Sequence, residues 1–265
     1  MANNVNTVGK TFAVVTALCL VCSIFVAGAA VALHPVQARA KATDMQKNIL
    51  EVAGISVDSG SSVADSFKKN IKTQIIDLST GKPVDLAAEK ALGKKACVTG
   101  DADSFDFKSA AKNPNCTYEV KAENDVAGIR LRSKYMPVYT SKDSVILPFY
   151  GQGLWSTMYG YLAVAPDGNT VKGIIYYDQG ETAGLGGEVT NPKWRAKGDG
   201  RKVYADDGTM KLKVTKYGKA QDKDFDVDGI SGATLTSRGV DNQIKYWLGS
   251  DGYQKYLASL KEGSK

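Results

Sequence analysis

From Thr11 to Leu33 the chain runs without a charged residue, and about 20 apolar residues are enough to carry a helix across a hydrocarbon core roughly 30 Å thick. The stretch predicts one membrane span over residues 11–33, preceded by a short cytoplasmic N-terminus at residues 1–10. A cleaved signal peptide is the competing reading, since Lys10 precedes the apolar run and Ala38-Arg39-Ala40 has the small-residue pattern of a cleavage site. The length of the run favours an uncleaved anchor. Residues Ala40 to Glu51 read as a juxtamembrane helix, and Ser62-Val63-Ala64-Asp65 as a capping box opening a short helix that ends near Ile71. Residues 77–121 read as loops and a surface insertion.

After this insertion the pattern changes to short apolar and alternating runs at residues 128–131, 137–140, 145–150, 161–164 and 171–177, which predict strands. Pro166-Asp167-Gly168-Asn169 is a tight turn that makes the last two an antiparallel hairpin. Asp206-Asp207-Gly208 is a further turn before a short strand at Leu212 to Val214. Val240, Ile244, Trp247 and Leu248 then recur at i, i+4, i+7 and i+8, a helix burying one stripe. The pattern predicts an α+β protein: a single N-terminal transmembrane helix, a segment 34–125 of juxtamembrane helices and surface insertion, and an antiparallel-sheet domain with flanking helices over 126–265. There is no internal repeat, and no G-x-G-x-x-G follows a first strand, so a Rossmann nucleotide fold has little support.

Composition removes several classes. With 265 residues, 43% of them hydrophobic and 23% charged, the chain can bury a full core and is neither disordered nor fibrous. Its net charge is +6, and basic and acidic residues alternate along most segments instead of gathering into a basic face, which argues against nucleic acid as a partner. Lys10 precedes the span while Arg39, Lys41 and Lys47 follow it, so the charge rule by itself leans weakly against export of the large domain. Cys19 and Cys22 have C-x-x-C spacing but lie inside the apolar run, where cysteine acts as a small apolar residue. Cys97 and Cys116 flank a polar stretch and are predicted to pair as a disulfide if the domain is exported. His34 is the only histidine, which excludes a histidine metal site or a Ser-His-Asp triad within this chain.

Three motifs remain. Gly151-Gln152-Gly153-Leu154-Trp155 and Glu181-Thr182-Ala183-Gly184-Leu185-Gly186-Gly187-Glu188 each follow a strand, where glycines let backbone amides approach a flat ligand and Leu154, Trp155 and Leu185 can cover its face. Asp228-Gly229-Ile230-Ser231-Gly232-Ala233-Thr234 opens the final helix and places a hydroxyl among unpaired amides at the positive end of its dipole, a place for phosphate. Taken singly, the two loops are ordinary turns and the third motif an ordinary N-cap.

Together they resemble a family. Leu147-Pro148-Phe149-Tyr150-Gly151-Gln152-Gly153-Leu154-Trp155, Tyr176-Tyr177-Asp178-Gln179-Gly180-Glu181-Thr182 and Ser231-Gly232-Ala233-Thr234-Leu235-Thr236-Ser237 are similar to the C subunits of bacterial Na(+)-translocating NADH:quinone oxidoreductases, EC 7.2.1.1. The sister G subunits of Rnf electron-transport complexes tend to carry His where this chain has Gln179; such a subunit, or another anchored extracytoplasmic flavoprotein, is the alternative. The resemblance implies a single-pass protein of the bacterial inner membrane with its domain on the periplasmic side. It would act as an electron relay between NADH and quinone beside other membrane subunits, coupled to sodium export. It implies FMN esterified through its phosphate to Thr234 by a flavin transferase that reads Asp228. Ser231, Gly232 and Ala233 would shape the acceptor turn, Glu181, Thr182, Gly184 and Leu185 would line the flavin, and Leu154 and Trp155 would pack nearby. No catalytic acid or base and no metal is implied. Arg238, one turn past Thr234, is a candidate neutraliser of the phosphate or simply a solvated residue. The family usually has proline where this chain has Ala183, which predicts a more flexible loop.

Overall fold

The computed structural model of the chain describes residues 8–58 and 60–263. Helix α1 runs Val8–Val52. Residues 1–7 of the expected cytoplasmic N-terminus lie outside the described residues. Phe12, Leu18, Ile24, Phe25 and Val31 are all exposed, so the uncharged stretch 11–33 of α1 is apolar all round, as a lipid-facing segment must be. Among the described residues it is the one helix long and apolar enough to cross a membrane. Cys19 and Cys22 are free thiols on it.

The expected juxtamembrane helix is not a separate element. Residues 40–51 continue α1 through Pro35, because residues 36–52 contain no glycine and are rich in helix formers. The helix stops where Gly54 takes φ 72° and the Ile55 N–H turns back to the Leu50 carbonyl at 2.9 Å, a glycine C-cap.

The chain divides into two compact units, one up to Gln46 and one from Lys47. The second unit contains a six-stranded antiparallel sheet in the order β2-β1-β5-β6-β7-β8, with β1 Lys72–Asp77, β2 Lys82–Pro83, β5 Tyr135–Thr140, β6 Val145–Gln152, β7 Thr157–Val164 and β8 Val171–Asp178. Two small pairs lie outside it: β3 (Thr117–Glu119) with β4 (Leu131–Ser133), antiparallel, and β9 (Lys213–Val214) with β10 (Asp226–Val227), parallel. The helices are α2 (Val63–Asn70), α3 (Leu86–Ala91), α4 (Phe107–Ala110), α5 (Pro192–Arg195), α6 (Thr234–Trp247) and α7 (Gln254–Gly263). Ser62 caps α2 by accepting the Asp65 N–H at 3.1 Å. The β7–β8 turn has Gly168 at φ 66°, with the Asp167 carboxylate accepting the Asn169 and Thr170 amides at 2.8 and 2.9 Å.

The sheet does not stop at the boundary expected at 125: β1 pairs with β5 along its whole length, from Lys72 opposite Thr140 to Asp77 opposite Tyr135. Nor is 77–121 only surface, since Leu78, Phe107 and Val120 belong to the main core and Phe107 stacks on Tyr150 at 5.7 Å. The strand expected at 128–131 lies instead at 131–133. Asp125 gathers the Ile129 and Arg130 amides at 2.7 and 2.9 Å into a turn, and Arg130 takes φ 60° there.

Strand β6 explains how α6 is held. Strand β5 pairs with it only at Val145 and Ile146; beyond that point Pro148, which has no N–H to leave unpaired, sits in β6. The buried carbonyls left without a β5 partner are taken by side chains. Tyr253 Oη donates to the Pro148 carbonyl at 2.8 Å, Trp247 Nε1 to Tyr150 at 2.6 Å and Gln243 Nε2 to Gly151 at 3.1 Å. Gly239 allows the close fit at the other end of the helix, where a Cβ would come 2.7 Å from the Gln152 carbonyl oxygen.

The structure joins Cys97 to Cys116 by a disulfide across 19 residues of sequence, with Cα atoms 5.3 Å apart. Closing a loop of that size is worth about 3 kcal/mol against the unfolded chain. The Cys97→Ser/Cys116→Ser double variant is therefore expected to lose about 3 kcal/mol in denaturant unfolding of the detergent-solubilised chain. The unreduced protein should show no titratable thiol outside the membrane helix.

Candidate functional site

Strands β6 and β7 meet at a hairpin loop of residues 153–156, and β8 runs out into a loop of residues 179–185. Helix α6 starts beside both. The feature that joins them is Glu181, a carboxylate on a residue only 8% exposed. Its Oε1 accepts the backbone amides of Leu154, Trp155 and Ser156 at 3.1, 2.9 and 3.4 Å. Its Oε2 accepts the Thr236 hydroxyl at 2.6 Å. The Ser156 hydroxyl takes the Gly180 N–H at 2.7 Å, and the Gln179 side chain takes the Glu181 N–H at 2.6 Å. Burial opposes ionisation of Glu181, but the Thr236 hydroxyl and the amides outweigh it and hold its pKa below the ordinary value.

Glycines make room for this carboxylate. A Cβ at Gly153 would lie 2.6 Å from Oε1, and one at Gly186 would lie 2.8 Å from Oε2. Thr182 heads a turn in which its carbonyl accepts the Leu185 N–H at 3.1 Å and the Gly187 N–H at 2.9 Å. Gly184 has φ 74°, the third position of a type II turn, and Ala183 occupies the second, where proline is favoured.

Helix α6 begins at Thr234 with Ala233 as its N-cap, and no side chain caps it. Neither Ser231 nor Thr234 plays the ordinary capping role. Thr234 is exposed, Ala233 is buried, and Gly232 takes φ 73° to turn the chain into the helix. Among the described residues, the amides of Thr234, Leu235 and Thr236 have no backbone acceptor in the preceding turn. Leu154, Trp155, Leu185 and Leu235 are 42%, 69%, 46% and 51% exposed, and a Cβ on Gly232 would come 3.2 Å from Leu185 Cδ2. A hydroxyl, open helix amides and apolar side chains thus share one surface, a set of groups that fits a phosphate and a flat ring.

The other motif residues divide. Thr182, Gly184, Leu185, Ser231 and Gly232 are exposed, whereas the Glu181 carboxylate is spent on internal bonds. Asp228 is also engaged inward. Its Oδ1 accepts the Gly218 N–H at 2.6 Å, its Oδ2 lies 3.4 Å from Lys197 Nζ, and its carbonyl accepts Trp194 Nε1 at 3.0 Å. Arg238 is exposed. Sequence reasoning missed Thr236 and Ser237, the latter buried with its Oγ accepting the Ile230 N–H at 2.9 Å. Their signal was there as two hydroxyls after Thr234, but only the helix phase shows that both point inward.

Residues 153–249, which carry the open helix start and the loops at 153–156 and 179–185, match the FMN-binding domain family. Along nearly the whole chain the similarity is narrower. The C subunit of the Na(+)-translocating NADH-quinone reductase of Haemophilus ducreyi is 46% identical, covering 97% of this chain and 96% of its own. The corresponding protein of Vibrio alginolyticus is 42% identical over 99% of both. The crystal structure of Shewanella oneidensis NqrC superposes with a TM-score of 0.73 at 36% identity, covering 84% of this chain and 99% of that one. The chain belongs to the family of Na(+)-translocating NADH-quinone reductase C subunits: it is a flavoprotein subunit of that oxidoreductase, and the Rnf alternative is set aside.

The two loops can be tested separately. Glu181→Gln replaces an acceptor by a donor facing other donors and is expected to destabilise the domain by about 1–3 kcal/mol at pH 7. Because the folded carboxyl titrates below its unfolded value, near 4.3, its contribution is complete above that pH and fades as pH falls through the folded pKa. The gap in denaturation midpoint between wild type and Glu181→Gln should therefore narrow on acidification below about pH 4. Ala183→Pro fits the second position of the turn and is expected to raise stability by about 0.4–1 kcal/mol, read from the same midpoints.

Proposed function

We propose that Thr234 carries FMN as a phosphodiester on its Oγ1, with the domain on the periplasmic side of the inner membrane. The observation that carries this reading is the uncapped start of α6. Ala233 offers the helix no side-chain oxygen, so the amides of the first turn and the positive end of the dipole are available to a phosphate bonded to the neighbouring hydroxyl. A phosphodiester keeps one negative charge, which charge-assisted N–H contacts stabilise.

Each residue then has a role. Gly232 turns the backbone so that Thr234 faces outward. Ala233 and Ile230, both buried, keep the acceptor turn against the domain. Leu154, Trp155, Thr182, Gly184 and Leu185 offer the apolar and backbone surface for the ring system, while Ser231 borders the phosphate. Asp228 is the residue a flavin transferase would read; because its carboxylate is held by Gly218 and Lys197, such reading requires that contact to be released.

When bound, FMN would supply the redox chemistry by which the protein relays electrons between NADH oxidation and quinone reduction in the reductase, with sodium movement coupled in other membrane subunits. The protein's part is placement. A covalent tether suits a surface site, because a ligand that stays accessible to partners buries too little area for tight non-covalent binding.

In membranes containing the flavin transferase, the tryptic peptide with Thr234 is expected to carry one FMN. Thr234→Ala should abolish the fluorescent band on a denaturing gel and most quinone reductase activity. Persistent fluorescence in Thr234→Ala would place the flavin elsewhere and sink this reading.

A further inference from the structure

Thr236 lies two residues past the acceptor threonine and faces the opposite way. It is 1% exposed, and its hydroxyl is bonded to Glu181. The other oxygen of that carboxylate holds the amides of Leu154, Trp155 and Ser156. One buried anion therefore ties the first turn of α6 to the β6–β7 loop. An ionised group in such a place is weak evidence for a stability role, since burying it is unfavourable until every oxygen is satisfied. Nor does α6 need it to stay on the sheet, because Gln243 and Trp247 already bond it to β6. What the clamp adds to the close fit of Gly239 against Gln152 and Gly153 is a directed bond that fixes the first helical turn relative to Leu154 and Trp155.

Resting on the reading that Thr234 bears FMN, we infer that Thr236 and Glu181 are positioning residues for the cofactor: their bond sets the height and rotation of the acceptor threonine against the loop that presents Leu154 and Trp155. The charge of Glu181 has a second effect. A fixed anion beside the first turn of α6 disfavours the arrival of further negative charge on a neighbouring group, so it lowers the midpoint potential of the flavin held there.

The test uses the full-length chain made with the flavin transferase, as wild type, Thr236→Val, Thr236→Ser and Glu181→Gln. Thr236→Val is nearly isosteric and deletes only the donor, so it decides the matter even if Glu181→Gln fails to fold. Measured are the modified fraction of the Thr234 peptide by mass spectrometry, the visible circular dichroism and midpoint potential of the bound flavin, and thermal melting of the unmodified domain as a control. Thr236→Val is expected to remain folded, with a lower melting temperature because Glu181 Oε2 loses its donor, and to show reduced modification or a weakened flavin dichroism band at temperatures well below that melt, with Thr236→Ser restoring both. Glu181→Gln is expected to raise the midpoint potential. Wild-type modification, dichroism and potential in Thr236→Val, or an unchanged potential in folded Glu181→Gln, would overturn the inference. An unmodified Thr234 peptide in the wild type would instead overturn the reading on which it rests.

Discussion

A buried carboxylate with four donors around it is hard to move, because any displacement leaves either an amide or an anion without its partner. Glu181 is in that position, and both loops and the start of α6 take their places from it. The glycines around it follow from the same constraint. Gly153 and Gly186 need no unusual backbone angle; they are glycines because a Cβ would stand where the carboxylate oxygens are. What looks in the sequence like a pair of flexible glycine-rich loops is in the fold a packed junction.

The start of α6 shows the opposite economy. Most helices spend a Ser, Thr, Asp or Asn on the N-cap; here the cap is alanine, and the hydroxyls nearby are directed elsewhere. Thr236 donates to Glu181, Ser237 receives Ile230, and Thr234 is turned to solvent. Three neighbouring hydroxyl residues thus have three different environments, separated by nothing more than the 100° step of an α-helix. On the proposed reading, capping and anchoring are not alternatives at this site, because amides without a side-chain cap are the ones a phosphate on Thr234 would use.

Much of this was legible in the sequence, and the limits have physical causes. The uncharged run to Leu33 and the stripe Val240, Ile244, Trp247, Leu248 are long-period signals and mark real helices. The strands at 145–150 and 171–177 are apolar because nearly all of β6 and half of β8 are buried, and the Pro166–Asn169 turn carries its own chemistry in Asp167 and Gly168. Residues 77–121 were opaque because they enter the core through isolated side chains, Leu78, Phe107 and Val120, that no periodicity connects. The motif positions could be found, but not their directions. Glu181 and Asp228 are polar residues in a cofactor motif, and the natural expectation that they face the ligand or its transferase ignores how many backbone amides a tight loop leaves to be satisfied.

Pro148 and its surroundings have a consequence beyond placing α6. Where β5 parts from β6, the buried seam leaves β6 groups without a strand partner, and unpaired strand groups are a liability that a fold must satisfy in another way. Here the row of groups is blunted in two ways. Proline removes a donor, and Tyr253, Trp247 and Gln243 occupy the carbonyls at Pro148, Tyr150 and Gly151. The aromatic side chains that build the core thereby also take the place of a neighbouring strand along this part of β6.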